Sequence, residues 1–312
     1  MPAPRPPLYH LSMSVLRRSQ GRSAVMASAY RSASRMVDHR TGFVADYRRK
    51  QDVAPLPLIL PDGCPTMDRS AFWNGVEQHH RRQDAVTARE IDAALPHGLT
   101  RNQESTLAER FARWLADTFH VGVDVGVHRK AWNHHVDMLL SACEVRADGS
   151  FGKKVTALDG IATKRSKTPI NPVELIRETW ARMINDTLAE AGRKERVDHR
   201  SYQRQGVPLI PGFHLGRAVA AMEKKEPGST EVGARLAAIE QENETNHPEL
   251  RRSREPKPNR PERKPRGGRK PRAVRPRAPL AGPGLPGSPD AVPLPGGSVA
   301  TGRGLRPAAF RK

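Results

Sequence analysis

Cysteine is almost missing from this 312-residue chain, with Cys64 and Cys143 the only two. That is too few for a disulfide scaffold or a thiolate zinc site, and it fits a reducing, cytoplasmic setting. No stretch approaches the ~20 apolar residues of a membrane span. The opening MPAPRPPLYHLSMSV has no apolar core of the kind a secretory leader carries. Acidic residues are also scarce: 33 Asp and Glu face 53 Lys and Arg, a net charge of +20 with a pI near 10.8. Such an excess points to a polyanionic partner, nucleic acid first, with a basic surface kept for solubility as the alternative.

Apolar residues make up 37% of the chain, enough for a core in part of it and for one large or two small domains. Composition changes sharply near residue 250, where RRSREPKPNRPERKPRGGRKPRAVRPRAP runs into a Gly/Pro-rich end. Residues 251–312 hold 17 Lys and Arg against 3 acidic residues, and 13 of the 28 prolines. Such a segment cannot bury enough apolar surface to offset its ordering entropy. A folded domain over 1–250 and a disordered basic tail over 251–312 are therefore expected, and chemistry that needs fixed geometry belongs to the former.

Periodicity supplies the elements. Tyr9–Val15 alternates as a strand, with Leu11, Met13 and Val15 on one face and His10, Ser12 and Ser14 on the other. Ser23 caps an Ala-rich helix that carries Tyr30. Met67–His80 reads as a helix and VTAREIDAAL as a strand. Thr100 and Gln103 form a capping box before a helix with Leu107, Phe111, Trp114 and Leu115 in one stripe. VGVDVGVH sets four valines against Asp124 and His128, a half-buried strand; after a polar link, RKAWN, HHVDMLLSACEV alternates again. Asn171 and Pro172 open a further helix, stopped by Gly192. Strands and helices mix without strict alternation, so the expected class is α+β, a largely antiparallel central sheet flanked by helices.

The hairpin is where chemistry gathers. Period-two geometry points His135 and Asp137 the same way, and His128 on the neighbouring strand can join them; His134 faces the opposite side. Two imidazoles and a carboxylate suit a divalent ion such as Mg²⁺ or Mn²⁺ and leave positions open on it. On residues alone, an ordinary structural or surface role serves the pattern as well.

Five segments, YHLSMSVLRRSQGRSAVMASAYRSA, REIDAALP, NHHVDMLL, VDHRSYQRQG and GFHLGRAVAAMEKK, together resemble the MobA/MobL family of plasmid-mobilisation relaxases, in the family's order and over roughly residues 8–225. The resemblance implies a two-histidine (HUH) endonuclease whose antiparallel sheet holds a metal-binding histidine cluster opposite a tyrosine on a helix. It makes Tyr30 the nucleophile and His128, His135 and Asp137 the metal ligands, Asp137 standing where the family has a histidine and His134 where it has a proline. Glu90 and Asp92 match paired acidic positions, able to activate the tyrosine, to hold a metal-ligating histidine, or to form a surface salt bridge. Arg18, Arg22, Asn133 and Arg200 fall in matched segments as DNA contacts, and His10 as a structural hydrogen bonder. Tyr9 is read as core or edge packing and Tyr202 as structural or DNA-proximal, while Tyr47 follows a turn at Arg40–Gly42 and has no acidic or histidine partner nearby in sequence.

A phenol is a poor nucleophile near neutral pH, so the implied reaction needs a metal to draw charge from the target phosphate. Its implied product is a 5′-phosphotyrosine with a free 3′-hydroxyl, on single-stranded DNA at an origin of transfer. Accessory mobilisation proteins and a secretion-channel coupling protein are the further partners implied, with export alongside DNA. A catalytically weakened DNA-binding accessory and a rolling-circle replication initiator are the alternatives. The tail would add salt-sensitive phosphate contacts, serve as an export signal, or only solubilise.

Overall fold

A computed structural model describes residues 9–130, 133–159, 171–213 and 215–247. The chain divides into two units, Met1–Glu255 and Pro256–Lys312. All described residues belong to the first unit, and the expected disordered tail lies outside them. In chain order the first elements are β1 (Leu11–Arg17), α1 (Ala24–Arg31), β2 (Arg35–Val37), β3 (Val44–Asp46), β4 (Val53–Pro55), α2 (Arg69–His79), β5 (Val86–Ala94) and α3 (Arg101–Phe119). They are followed by β6 (Val123–Lys130), β7 (Asn133–Ser141), β8 (Cys143–Val145), β9 (Phe151–Lys154), α4 (Pro172–Glu190), α5 (Tyr202–Gln205), α6 (Gly216–Lys225) and α7 (Glu231–Asn246).

Five strands form one sheet in the order β1-β5-β7-β6-β4, every neighbouring pair antiparallel. The class is α+β, with helices on both faces. Leu11, Ile91, Val123, Val125, Val127, Val136, Met138 and Leu140 turn to one face and pack against Leu107, Phe111 and Leu115 of α3 and Ile176 and Trp180 of α4. The other face takes Leu16, Ala88 and Leu139 under Val25 and Ala29 of α1 and Phe72, Trp73 and Val76 of α2. Asp124, His128, His135 and Asp137 share this second face, as strand period two requires.

Local signals explain the helix ends. Thr100 and Gln103 make the capping box of α3, Asn171 accepts from Val173 N–H ahead of Pro172 in α4, and Ser23 accepts from Met26 N–H at the start of α1. Other expectations shift. β6 is buried on both faces, not one, because α1 and α2 cover its polar side and leave Asp124 and His128 fully buried. The polar link expected over RKAWN is largely strand, since β6 runs to Lys130 and β7 starts at Asn133. HHVDMLLSACEV is two strands: after Ser141 the chain leaves the sheet, and β8 pairs with β9. β1 runs on to Arg17, with its register shifted between Leu16 and Arg17. α2 begins at Arg69, because the Asp68 carboxylate caps it by accepting from Ala71 N–H. The short strands β2 to β4 carry too few residues to show a period. Among the described residues no helix is long and apolar enough to cross a membrane.

One helix cannot stand by itself. α1 has eight residues, below the ~12–15 at which an isolated helix becomes marginal in water. Three carboxylates hold it instead: Glu77 Oε1 accepts from Ala24 N–H at 2.8 Å, Asp124 accepts from the Ser28 hydroxyl, and Glu90 Oε1 accepts from Arg31 Nη2 at 2.8 Å. Asp124 also accepts from Trp73 Nε1 at 3.0 Å and faces Arg69 Nε at 3.0 Å, which ties α1, α2 and β6 together. Asp124→Ala leaves Arg69 and two donors without their partner, and urea unfolding is expected to show a loss of about 3–5 kcal/mol. An unchanged midpoint would remove Asp124 as the anchor.

Candidate active site

The face under α1 is where the side chains named from sequence meet. β6 carries Asp124, Gly126 and His128 on this face, and α1 crosses above them. A Cβ on Gly126 would lie 2.6 Å from the Arg31 carbonyl oxygen, so glycine lets the end of α1 approach the strand. Two residues along, the His128 ring lies beneath Tyr30, with centroids 5.7 Å apart and planes 23° from parallel. His135 stacks on His128 at 4.9 Å and 11°. The two histidines are direct partners across the β6–β7 ladder.

His128, His135 and Asp137 offer ligand atoms that all lie within 4.8 Å of one another. His128 Nε2 is buried without a well-formed hydrogen bond, yet it lies 3.1 Å from Asp137 Oδ2. His135 Nδ1 lies 3.0 Å from the Asn133 carbonyl oxygen. A carbonyl only accepts, so Nδ1 is the donor and Nε2 keeps its lone pair, the arrangement usual in a metal-ligating histidine. Two imidazoles, His135 among them in the ligating tautomer, and the Asp137 carboxylate make a donor set that fits a divalent cation.

Charge is divided unevenly among the acids. Burial would raise the Asp137 carboxyl, but its contact with His128 and the charge of Arg31 prevail and hold it below the ordinary aspartate range. Asp92, opposite Asp137 in the β5–β7 register, goes the other way, pushed up by partial desolvation and then by the Asp137 charge. Glu90 is brought down: its burial is outweighed by the hydrogen bond from Arg22 and the charge of Arg31. Its carboxylate lies 2.7 Å from Arg22 and 2.8 Å from Arg31. Glu90 and Asp92 thus share a face as their spacing requires, but Glu90 is tied to arginines.

The remaining expectations separate. Arg18 does not face outward: it bonds Glu77 at 2.7 Å and the His80 and Arg82 carbonyl oxygens, with only 8% of its side chain exposed. The guanidinium closes the end of β1 onto α2. Arg22 keeps 41% of its side chain exposed. Asn133 is exposed where β7 begins, and Arg200 pairs with Asp198 at 2.7 Å after α4, joined to the cluster by no bond among the described residues. His134 does point to the far face, where Nδ1 meets Glu104 at 2.6 Å. His10 is exposed; its backbone carbonyl accepts from Ala94 N–H. Tyr9 donates to the Arg177 carbonyl oxygen.

Sequence reasoning missed Lys50 and underrated Tyr47. Tyr47 meets the Tyr30 ring edge-on at 5.4 Å, and Lys50 Nζ lies 3.3 Å from the centroid of that ring and 3.3 Å from His128 Nδ1. Nothing in RRKQ marks this lysine, because the short strands around it leave no periodicity to place it. Asp124 and Gly126 did carry a signal: a carboxylate and a glycine interrupt a run of valines.

The profile of the MobA/MobL family matches residues 22–225. The chain belongs to the MobA/MobL family. Mobilization protein MobL of Acidithiobacillus ferridurans is 42% identical over 244 residues, covering 70% of this chain and 64% of the relative. The probable conjugal transfer protein TraA of Sinorhizobium fredii is 32% identical over 239 residues, covering 69% of this chain and 22% of that protein. The chain thus spans under two thirds of one relative and about a fifth of the other. Among solved structures, one described as the molecular basis of vancomycin resistance transfer in Staphylococcus aureus aligns with a TM-score of 0.54 and 27% identity, over 62% of this chain and 100% of that one. In this MobA/MobL chain Asp137 lies inside the cluster, with His128 and His135.

Because the Glu90 carboxyl is held below its ordinary value of 4.5, its contribution to stability is present above that pH and is lost as pH falls through the lowered value. Glu90→Gln is therefore expected to lower the thermal midpoint at pH 7, with the difference from wild type shrinking below pH 4.5. A difference independent of pH would contradict the ion-pair account.

Proposed function

We propose that this domain is a mobilisation relaxase that nicks one DNA strand at an origin of transfer, with Tyr30 as the nucleophile. The observation that carries the reading is the stack of the Tyr30 ring on buried His128, whose Nε2 faces Asp137. Family membership supports the mobilisation role.

The Tyr30 oxygen attacks the scissile phosphorus. An O–P bond forms as the P–O3′ bond breaks, the electron pair leaves with the 3′ oxygen, and the phenol's proton ends on that oxygen as a free 3′-hydroxyl. The phosphotyrosine ester keeps the energy of the diester, so the strand can be rejoined without ATP. His128, His135 and Asp137 would hold the divalent ion, Mg²⁺ or Mn²⁺, which supplies Lewis-acid withdrawal of charge from a non-bridging phosphate oxygen. The chain's own residues position: Asp124, Glu77 and Glu90 fix α1, so that Tyr30 meets the phosphate without a conformational search. Arg22, Asn133 and Arg200 are the proposed DNA contacts.

A second reading, a DNA-binding mobilisation accessory without nicking activity, is favoured by the aspartate at 137, where the resemblance to the family implies a histidine. One experiment separates the two. Labelled single-stranded DNA bearing the cognate nick region is incubated with the protein and Mn²⁺, then run under denaturing conditions. Wild type is expected to leave a covalent adduct that EDTA abolishes, and Tyr30→Phe to bind the strand without an adduct. Binding without an adduct at every Mg²⁺ and Mn²⁺ concentration would favour the accessory. Asp137→Ala is expected to weaken Mn²⁺ binding by at least ~10-fold in calorimetry, and unchanged affinity would remove it from the ligand set.

A further inference from the structure

Lys50 is a half-buried cation at the junction of the nucleophile and the ligand cluster, and among the described residues it forms no ion pair. Its neighbours do: Arg48 is paired with Asp46 at 2.7 Å, and Arg31 with Glu90 at 2.8 Å. Lys50 Nζ rests instead on the face of the Tyr30 ring and against His128 Nδ1, each at 3.3 Å. Its position is fixed locally, since Lys50 N–H donates to the Tyr47 carbonyl oxygen at 2.9 Å and the Tyr47 ring packs on Tyr30. The short strand β3 therefore feeds an aromatic wedge and an ammonium group to the same spot.

Two chemical points decide what the ammonium does there. A group that supports a metal-ligating imidazole accepts a hydrogen bond from the free ring N–H, as a carboxylate or carbonyl does. Lysine has only donors and cannot play that part for His128. An ammonium without a counter-ion, partly withdrawn from water, is in contrast a receptor for an anion, and its electrostatic effect is strengthened where water is excluded.

We propose that Lys50 is a further catalytic residue, a cation that meets a non-bridging oxygen of the scissile phosphate and offsets the negative charge that builds there as Tyr30 attacks. This rests on the nicking reading above. As the Tyr30 O–P bond forms and the P–O3′ bond lengthens, charge on the non-bridging oxygens rises. The fixed positive charge stabilises that state more than the bound ground state, so Lys50 acts on the rate and little on DNA affinity. The side chain stays cationic throughout and exchanges no proton.

The test uses the full chain as wild type, Lys50→Met, Lys50→Gln and Lys50→Arg, with three readouts: single-turnover adduct formation on the nick-region strand, affinity for that strand, and Mn²⁺ affinity by calorimetry. Lys50→Met and Lys50→Gln are expected to form adduct ~100- to 1,000-fold more slowly, with DNA and Mn²⁺ affinities within about threefold of wild type. Lys50→Arg is expected to recover at least ~10-fold of the lost rate, because it restores the charge. Adduct formation by both neutral variants within about threefold of wild type overturns the proposal. So does a rate loss matched by an equal loss of Mn²⁺ affinity, which would make Lys50 a prop for His128, or of DNA affinity, which would make it a ground-state contact. Thermal midpoints identify a misfolded variant, in which case the other neutral substitution decides. If wild type forms no adduct, the nicking reading fails and this one with it; if only the Lys50 variants behave like wild type while Tyr30→Phe is dead, this proposal fails alone.

Discussion

An eight-residue helix has too few internal hydrogen bonds to persist in water, yet α1 must hold a tyrosine in one place over a buried histidine. The structure meets this constraint from outside the helix. Glu77 takes its first amide, Asp124 takes the hydroxyl of Ser28 in its middle, and Glu90 takes the guanidinium of Arg31 at its end. Each carboxylate comes from a different element, α2, β6 and β5, so the helix registers the relative placement of all three. Burying such groups costs desolvation free energy that a well-packed apolar contact would avoid. What they give in exchange is directional: an apolar helix face could slide or roll by part of a turn, whereas three hydrogen-bonded carboxylates set one register.

The rest of the site follows from that register. Gly126 admits the end of α1 close to β6, and the Tyr30 ring comes down on His128, which stacks in turn on His135. Tyr47 packs edge-on against Tyr30, giving a row of four rings, Tyr47, Tyr30, His128 and His135. Along the same face the acids are driven apart: Asp137 is held in its ionised form beside His128, and Asp92 is displaced toward protonation. Of the two adjacent carboxyl groups, Asp137 is thus the one whose anionic form the surroundings favour.

Much of this was legible in the chain. Four alternating valines declared β6 and its polar face, and the period of two that placed His128, His135 and Asp137 together is the geometry the ladder shows. The capping residues Ser23, Thr100 and Asn171 were readable because capping is a local transaction between a side chain and amides two or three residues on. The failures are of another kind. Arg18 sits in a matched segment but is spent internally on Glu77, a contact across 59 residues that no local pattern encodes. β6 was expected to be half-buried because alternation reports the polarity of a face, and a second helical layer over a polar face leaves that polarity unchanged. Lys50 and Tyr47 lie in the turn between β3 and β4, strands of three residues each, too short to carry a period that would place them.

The central claim is that the tyrosine held over His128 by this clamp is the group that becomes joined to DNA. The most direct measurement is mass spectrometry of the tryptic peptides of the protein–DNA adduct after nuclease trimming. The account predicts the residual nucleotide on the peptide spanning residues 23–31, linked to Tyr30 through a phosphodiester. A nucleotide on a peptide carrying Tyr9, Tyr47 or Tyr202, with the 23–31 peptide unmodified, would contradict it.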